Sequence, residues 1–322
     1  MPDHRFVSPY LPLGTPQRWL RGNHHGHSLR SDGQDTPEAN IAAYEAAGYD
    51  YIALSEHDLF CDPAEHQPDT TMLLLPAVEI TSDLGQTLMY LGADGDLPAR
   101  ATLSLADVRA FVAERGGLFI VDHPNWQYRP DRLHAPVEEL LQVPDLGAIE
   151  IYTGVIERLA GASHAVDVWN RLLSNGQRIW GHATDDQHDA VDRFLGWNMV
   201  QHDPEQLVDA RSVIDALRAG RFVASTGPRV ERIGVTEDGR AVEVESDALE
   251  LRWVVRDGIV AAVRSGGAGR LAIDELLALP NVAATARWRG WTAPADLLYV
   301  RLECLGTAGR TAWSQPFFIV AG

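Results

Sequence analysis

The sequence predicts an α/β fold in which a mostly parallel sheet closes into a barrel, followed by a small antiparallel β domain. Short apolar runs alternate with helical patterns from Trp19 to about Pro228. These runs are β-branched or aromatic, and their length is typical of strands buried on both faces of a parallel sheet. After Arg229 the pattern changes to alternating strand-like segments separated by Gly, Asp and Pro turns, which indicates antiparallel strands.

Strand-helix units repeat through the first part of the chain. A first strand ends in GNHHGH, and further strands are predicted at 51–55, 72–80, 117–122, 147–152 and 178–184. The first helix has Thr36 as its N-cap, Pro37 at its first position and Gly48 as its stop. Two more helices, within 103–117 and 162–176, also end in Gly. Such units predict a parallel α/β domain, which we interpret as a barrel.

Two domains are expected from this change of pattern. Residues 1–228 form the predicted barrel domain, and residues 229–322 form a small β-rich domain with one short helix in IDELLAL. A segment of about ninety residues can hold its own core when it docks on a larger domain.

Composition limits the partners. The chain has 322 residues and a net charge of −18, which argues against nucleic acid and against an anionic membrane surface. The start, MPDHRFVSPY, lacks the pattern of a signal peptide, and no apolar run reaches the ~20 residues that span a bilayer. With two distant cysteines, a disulfide framework is not expected. We expect a soluble cytoplasmic protein with a small-molecule substrate, and the oligomeric state stays open.

Histidines and carboxylates are concentrated at the carboxyl ends of the predicted strands. They occur in GNHHGH (22–27), SEHD (55–58), Glu79, DHPNW (122–126), Glu150 and DDQH (185–188). In a parallel α/β barrel these ends converge on one face, where active sites form. A single member could be a structural residue, as His57 at a strand end or His123 in a turn, but the coincidence predicts one site.

The chemistry of these residues favours a metal centre. Alternate side chains of a strand point the same way, so His25 and His27 can share an ion while His24 points elsewhere. Glu79 can bridge two cations, and Asp186 and His188 repeat the same-side spacing. Imidazole and carboxylate ligands without a thiolate indicate Mn²⁺, Zn²⁺ or Fe²⁺.

Together these motifs resemble those of the polymerase and histidinol phosphatase (PHP) family, over most of the chain. The family's H-x-H and S-D-G motifs are matched by His25, His27 and Asp32, and its T-D-H motif by SEH, with Glu56 in place of aspartate. Its later glutamate, H-P and D-x-H motifs are matched by Glu79, by His123 with Pro124, and by Asp186 with His188. The segments ATDDQH, ALRAGRFVASTGP and the closing YVRLECLGTAGRTAWSQPFFI resemble the branch that includes carbaryl-hydrolase-like enzymes.

The resemblance implies a distorted seven-stranded β/α barrel that binds two or three divalent ions. One ion is expected at His25, His27, Glu79 and Asp186, and another at Asp32, His57 and His188. A third would lie between Glu79, His123 and a histidine of the strand after the glutamate. That strand reads QTLMYLG and contains no histidine, so we expect a weak or absent third ion unless Glu150 faces the centre.

Three functions follow from this site. The first is hydrolysis of a small phosphate ester by a metal-bound hydroxide, because bound divalent metal can lower the pKa of water to ~7. The second is hydrolysis of a carboxyl ester, carbamate or amide, as the apparent branch implies. The third is a non-catalytic binding protein stabilised by metal. Asn125, Trp126 and Tyr152 are the predicted substrate contacts, and Tyr128 and Trp197 are further aromatic residues near the expected rim.

Overall fold

The computed structural model describes residues 4–98 and 103–321 as a mixed α/β protein. The first ten strands are β1 His4–Val7, β2 Arg18–Asn23, β3 Tyr51–Leu54, β4 Leu73–Thr81, β5 Thr87–Leu91, β6 Leu118–Val121, β7 Ala148–Thr153, β8 Trp180–Thr184, β9 Trp197–His202 and β10 Phe222–Ser225. The other strands are β11 Val230–Val235, β12 Ala241–Ser246, β13 Glu250–Val255, β14 Ile259–Ser265, β15 Ala268–Ala272, β16 Tyr299–Leu305, β17 Thr311–Ser314 and β18 Phe317–Ala321. The α-helices are α1 Pro37–Ala46, α2 Leu105–Glu114, α3 Val137–Leu140, α4 Val166–Ser174, α5 Ala210–Arg218 and α6 Pro280–Arg289.

One large sheet contains most of the strands. Its order is β1-β18-β16-β17-β10-β9-β2-β3-β4-β5-β6-β7-β8, with β13 paired to β16 and β14 to β13. Strands β11, β12 and β15 form a separate sheet. The first strand of the chain therefore pairs with the last, His4 lying opposite Ala321.

Parallel pairing dominates the part of the sheet that carries the predicted ligands. Strands β2, β3 and β4 are parallel, and so are β6, β7 and β8. Strand β5 runs antiparallel to both β4 and β6, and β9 runs antiparallel to β2 and β10. The predicted parallel sheet is thus confirmed in its larger part, and β5 and β9 depart from it.

The large sheet is open at β8, whose ladder partner within the described residues is β7. A barrel closed by backbone pairing, as the sequence predicts, is therefore not formed there. Two side-chain amides occupy the free edge instead. Gln315 donates to the Gly181 carbonyl and accepts from its N–H, both at 2.8 Å. Asn198 makes the same pair with Ala183, at 2.8 and 3.1 Å. We call these the β8 amide contacts.

Local signals explain where the helices begin. Thr36 caps α1 by accepting from the Ala39 N–H at 3.2 Å, Pro37 is its first residue, and Gly48 follows its end with φ +75°. Helix α2 starts at a reciprocal capping box between Ser104 and Asp107. The predicted start and stop of the first helix are confirmed.

The helices cover the sheet and bury its strands. Helices α2 and α4 pack Val108, Val112, Trp169 and Leu172 into the core that covers β5 to β8. A second core joins β13, β16 and β18 to β11, β12 and β15.

The division of the chain at residue 228 stays a prediction. Across residues 4–98 and 103–321, every helix is too short or too polar to cross a bilayer.

Candidate metal centre

In the loop that follows β2, the side chain of His24 points away from those of His25 and His27. The His25 N–H donates to Asn23 Oδ1 at 3.0 Å, and the His27 N–H donates to the Gln187 carbonyl at 2.8 Å. The His25 and His27 rings meet the carboxylates of other strand ends. The His24 ring instead packs edge-on against His182, with their centroids 4.9 Å apart. The different orientation predicted for His24 is what the structure shows.

The first cluster combines two imidazoles with two carboxylates. Glu79 Oε2 lies 3.2 Å from His25 Nε2 and 3.1 Å from His27 Nε2. Asp186 Oδ1 lies 3.2 and 3.1 Å from the same two nitrogens. All four residues are buried, and one atom from each lies within 4.8 Å of the others. This spacing brings four ligands of two types, imidazole and carboxylate, around one point, and both types are suited to Mn²⁺, Zn²⁺ or Fe²⁺.

A second cluster lies beside the first and is more exposed. Asp32 Oδ2 lies 3.5 Å from His57 Nε2 and 3.3 Å from His188 Nε2. His27 Nδ1 faces Asp32 Oδ1 at 3.7 Å, so His27 belongs to both clusters. Glu79 Oε2 also lies 3.3 Å from His57 Nδ1. The dual position of His27 was not predicted, because H-x-H spacing alone does not show what faces each ring nitrogen.

Glu150 supports the first cluster from behind. Its Oε1 lies 2.7 Å from His25 Nδ1, which turns His25 Nε2 toward Glu79 and Asp186. Thr184 and Thr153 hydroxyls donate to Glu150 at 2.6 and 2.8 Å, and the His123 N–H donates at 2.8 Å. A carboxylate that fixes the orientation of a ligand histidine is a common outer partner in metal sites. Glu150 is therefore placed to orient His25, and it lies outside the group formed by His25, His27, Glu79 and Asp186.

Asp122 is a buried carboxyl that the sequence interpretation did not select as a ligand. It groups with His25 and Glu150 within 4.8 Å, and both its oxygens are buried without a hydrogen-bond partner. Burial raises the pKa of Asp122 well above its usual range, with Glu150 and Glu79 adding to the effect against the opposing charge of His25. Asp122 directly follows the apolar strand β6, and this position is the sequence signal that could have identified it as part of the site.

Backbone strain accompanies the site. His123 and Asp186 adopt φ of +24° and +49°, in the region that L residues rarely occupy. Such conformations cost about 1–3 kcal/mol each and persist where surrounding contacts hold them. For His123 one such contact is the hydrogen bond from its N–H to Glu150.

A cavity of about 610 Å³ opens onto the two clusters. Its floor contains Glu79, Asp186 and His123 with Asp32, His57 and His188 of the second cluster. The rest of its lining consists of Gln34, Thr81, Gly85, Thr87, Trp126, Tyr128, Val155, Ile156, Arg158, Leu159 and Asp189. A ligand that approaches the two clusters through this cavity would therefore contact several apolar side chains.

The predicted substrate contacts occupy different places. Trp126 lines the cavity. The Asn125 amide donates to the His164 carbonyl and to Asp167, both at 2.9 Å. The Tyr152 hydroxyl donates to Glu157 at 2.7 Å. Asn125 and Tyr152 are outside the cavity lining, and their roles as substrate contacts stay predictions.

The buried atoms of the first cluster fit a bound cation. His25 Nε2 and both oxygens of Glu79 are buried without a hydrogen bond of good geometry. Buried polar groups without partners cost about 1–3 kcal/mol each, and more when charged. A divalent ion among these atoms removes that cost, because it satisfies the imidazole lone pair and the carboxylate oxygens together.

Comparisons with known proteins give distant structural similarity alone. No family model and no curated protein matches the chain. A Bacteroides vulgatus two-domain protein containing a predicted PHP-like metal-dependent phosphoesterase is similar at 15% identity and TM-score 0.49, over 81% of this chain and 88% of that one. A candidate metal-dependent phosphoesterase of Bifidobacterium adolescentis is similar at 14% identity and TM-score 0.42, over 62% and 96%. An amidohydrolase of Chromobacterium violaceum with bound sulfate and no metal is similar at 17% identity and TM-score 0.40, over 62% and 96%.

Protein purified without chelator is expected to contain at least one transition-metal ion per chain. The reason is the pair of clusters, whose ligand atoms are already gathered within 4.8 Å. Elemental analysis by inductively coupled plasma mass spectrometry measures the content. A trace content that added Mn²⁺, Zn²⁺ or Fe²⁺ does not raise would contradict the metal centre.

Metal affinity is expected to rise with pH up to about 9. In the metal-free protein, burial alone would lower the pKa of His57 and of His188. The charge of Glu79 and a hydrogen bond to Asp32 instead raise the pKa of His57 to about 9, and a hydrogen bond to Asp32 and the charge of Asp186 raise that of His188 to about 9. A histidine binds metal only without its proton, so each displaced proton changes affinity up to ~10-fold per pH unit.

The same shifts set the stability of the metal-free fold. A raised histidine pKa stabilises the fold fully below the unfolded value of about 6.5, and this contribution is lost as pH rises through about 9. The gain in Tm on adding Mn²⁺ should therefore be larger near pH ~8.5 than near pH ~6.5. Calorimetry in buffers of different ionisation enthalpy measures the released protons, and binding without proton release would contradict the prediction.

Proposed function

We propose that this protein is a metal-dependent hydrolase that acts on small phosphate esters. The observation that carries the proposal is a pair of His/carboxylate clusters, joined through His27 and Glu79, that contribute five residues to the lining of a cavity. Adjacent cation sites that share a carboxylate are typical of enzymes that clamp the attacking and leaving oxygens of a phosphoryl group.

The donor set divides between two ions. His25, His27, Glu79 and Asp186 would hold one, and Asp32, His57 and His188 the other. When bound, the ions would polarise the ester and lower the pKa of water toward ~7. The three ligand carboxylates, Asp32, Glu79 and Asp186, carry one charge fewer than two divalent ions, so the ions and their ligands would together be positive and would favour an anionic substrate.

The cavity walls favour a substrate with an apolar body. Trp126 and Tyr128 form one part of the lining, and Val155, Ile156 and Leu159 form another. Arg158 is the one arginine or lysine among the described lining residues. Its guanidinium already donates two hydrogen bonds to Asp192, of 2.6 and 2.8 Å. A phosphate monoester or diester of an apolar alcohol therefore matches the site better than a substrate with several phosphates.

The same apolar lining favours a second candidate, a carboxyl ester, carbamate or amide hydrolase. An uncharged acyl group needs no cationic side chain to bind it, and the described lining residues include no arginine or lysine other than Arg158, which is paired with Asp192. The positive charge expected of the two ions with their ligands favours the phosphate ester, because it would attract an anion more strongly than a neutral group.

A panel of p-nitrophenyl phosphate, bis(p-nitrophenyl) phosphate, p-nitrophenyl acetate and a p-nitrophenyl carbamate tests the proposal. The protein is stripped with EDTA and reloaded with Mn²⁺ or Zn²⁺, and the stripped sample is the control. We expect metal-dependent turnover with the highest kcat/KM on a phosphate. Preference for the acetate or carbamate would support the second candidate. Tight metal binding with no turnover of any substrate would instead favour a metal-stabilised binding protein.

A further inference from the structure

The ring of His134 has one possible distribution of protons. The backbone N–H of Thr87 donates to His134 Nε2 at 3.0 Å. A backbone N–H can only donate, so His134 Nε2 carries no proton. The ring is buried, with 1% of its surface exposed, and its proton therefore lies on Nδ1.

That proton determines the state of the neighbouring ring. His134 Nδ1 lies 3.2 Å from His123 Nδ1 and 3.3 Å from the Asp122 carbonyl oxygen. A proton on His123 Nδ1 would face the proton on His134 Nδ1 across this short distance. His123 Nδ1 is therefore the bare nitrogen, and the proton of His123 lies on Nε2.

The protonated nitrogen of His123 faces the cavity floor. His123 Nε2 lies 3.4 Å from Glu79 Oε1 and 3.6 Å from Asp186 Oδ2. It also lies 3.4 Å from the hydroxyl of Thr87, which stands on the strand where the resemblance implies a third histidine ligand. A metal ligand must offer a lone pair, and this nitrogen offers an N–H instead. The residues present do not fit a third ion held by Glu79 and His123.

We propose that His123 is an N–H donor to an oxygen of the substrate at the edge of the metal centre, and that His134 is the positioning residue that fixes its tautomer. The substrate contact rests on the proposed hydrolase function, whereas the tautomer stands on the contacts of His134 and Thr87. His123 keeps its proton in this role, so no proton transfer is involved. Its strained φ and the hydrogen bond from its backbone to Glu150 hold the ring at the cavity floor.

The tautomer is measured directly by NMR of protein labelled with ¹⁵N-histidine. Long-range ¹H–¹⁵N correlation distinguishes a ring protonated at Nε2 from one protonated at Nδ1 and from one bound to metal. His123→Gln assigns the signals among the 12 histidines of the chain. We expect His123 to be protonated at Nε2 both in the metal-free protein and in the protein loaded with Zn²⁺. Zn²⁺ is used here instead of Mn²⁺ because it is diamagnetic. A bare or zinc-bound Nε2 would overturn the proposal.

Two substitutions at His123 separate a donor from a ligand. Gln keeps an N–H near the position of Nε2, and Leu removes it. Metal content should be unchanged in both variants. The affinity of the zinc-loaded protein for inorganic phosphate should fall roughly 10- to 100-fold in His123→Leu, the range for a hydrogen bond to a charged group, and only a few-fold in His123→Gln. Loss of one metal equivalent in both variants would show that His123 is a ligand.

The variant His134→Phe tests the positioning role. Phe keeps the ring contacts with Trp126 and Tyr128 but has no proton to oppose one on His123 Nδ1. We expect the Nδ1-protonated form of His123 to become populated and phosphate affinity to fall, with metal content retained. An unchanged spectrum would contradict the role of His134. Because the spectra do not depend on turnover, a chain that hydrolyses nothing but shows these tautomers would contradict the proposed function alone.

Discussion

The variant Asp186→Asn is expected to lose more than ~100-fold in kcat/KM, since losing even an outer partner of a metal ligand costs ~10–100-fold. Asp186 Oδ1 lies 3.2 Å from His25 Nε2 and 3.1 Å from His27 Nε2, the same distances as Glu79 Oε2. Asn has the same shape and tolerates the positive φ at this position, so the fold should persist. Kinetics on the best substrate of the panel, metal content and circular dichroism are the measurements.

Asp145→Asn is the matched control for this variant. Asp145 also has a positive φ, of +51°, but its side chain is 89% exposed and pairs with Arg109. The same chemical change in the same backbone region should leave kcat/KM and metal content as in the parent. If Asp186→Asn in its metal-loaded form turned over like this control, the assignment of Asp186 as a ligand would be wrong.

The variant Gln315→Leu is expected to lower the free energy of unfolding by about 2–6 kcal/mol, because a buried donor and a buried acceptor each lose a partner worth about 1–3 kcal/mol. Both are backbone groups of Gly181, and the Gln315 side chain is fully buried. Typical domains are stable by only 5–15 kcal/mol, so this is a large fraction. Urea unfolding of the metal-free protein measures it.

Gln206→Leu is the comparison for this prediction. Gln206 is exposed in the loop between β9 and α5, so the same substitution there should change stability by less than ~0.5 kcal/mol. Equal stability of the two variants would show that the β8 amide contacts contribute little to the fold.

The strands and helix caps could be predicted because they depend on local patterns. Apolar runs of strand length and the Thr36–Pro37 start are properties of short segments. The direction of β5 was missed because a fully buried run carries no sign of its orientation. A signal was present, however. Five residues, including Gly85 with φ +77°, separate β4 from β5, and a parallel crossover needs a dozen or more.

The candidate ligands could be predicted because they follow strands directly, where parallel ends meet. The contacts of His134 could not be predicted from the sequence. His134 lies in an irregular segment, and its partner Thr87 is 47 residues away along the chain, so no spacing rule connects them. Glu150 and Asp122 sat at predicted strand ends, but whether such a carboxyl binds an ion, orients a histidine or stays neutral depends on burial and neighbours across the sheet.

The β8 amide contacts have a consequence for how this chain could be divided or recombined. A fragment that ends at residue 228 would lack Gln315 and would expose the Gly181 edge of β8, the strand that leads into Asp186. An uncovered strand edge is a template for pairing with another chain. The last segment of the protein therefore protects the first against self-association, and the two parts are poor candidates for exchange as independent modules.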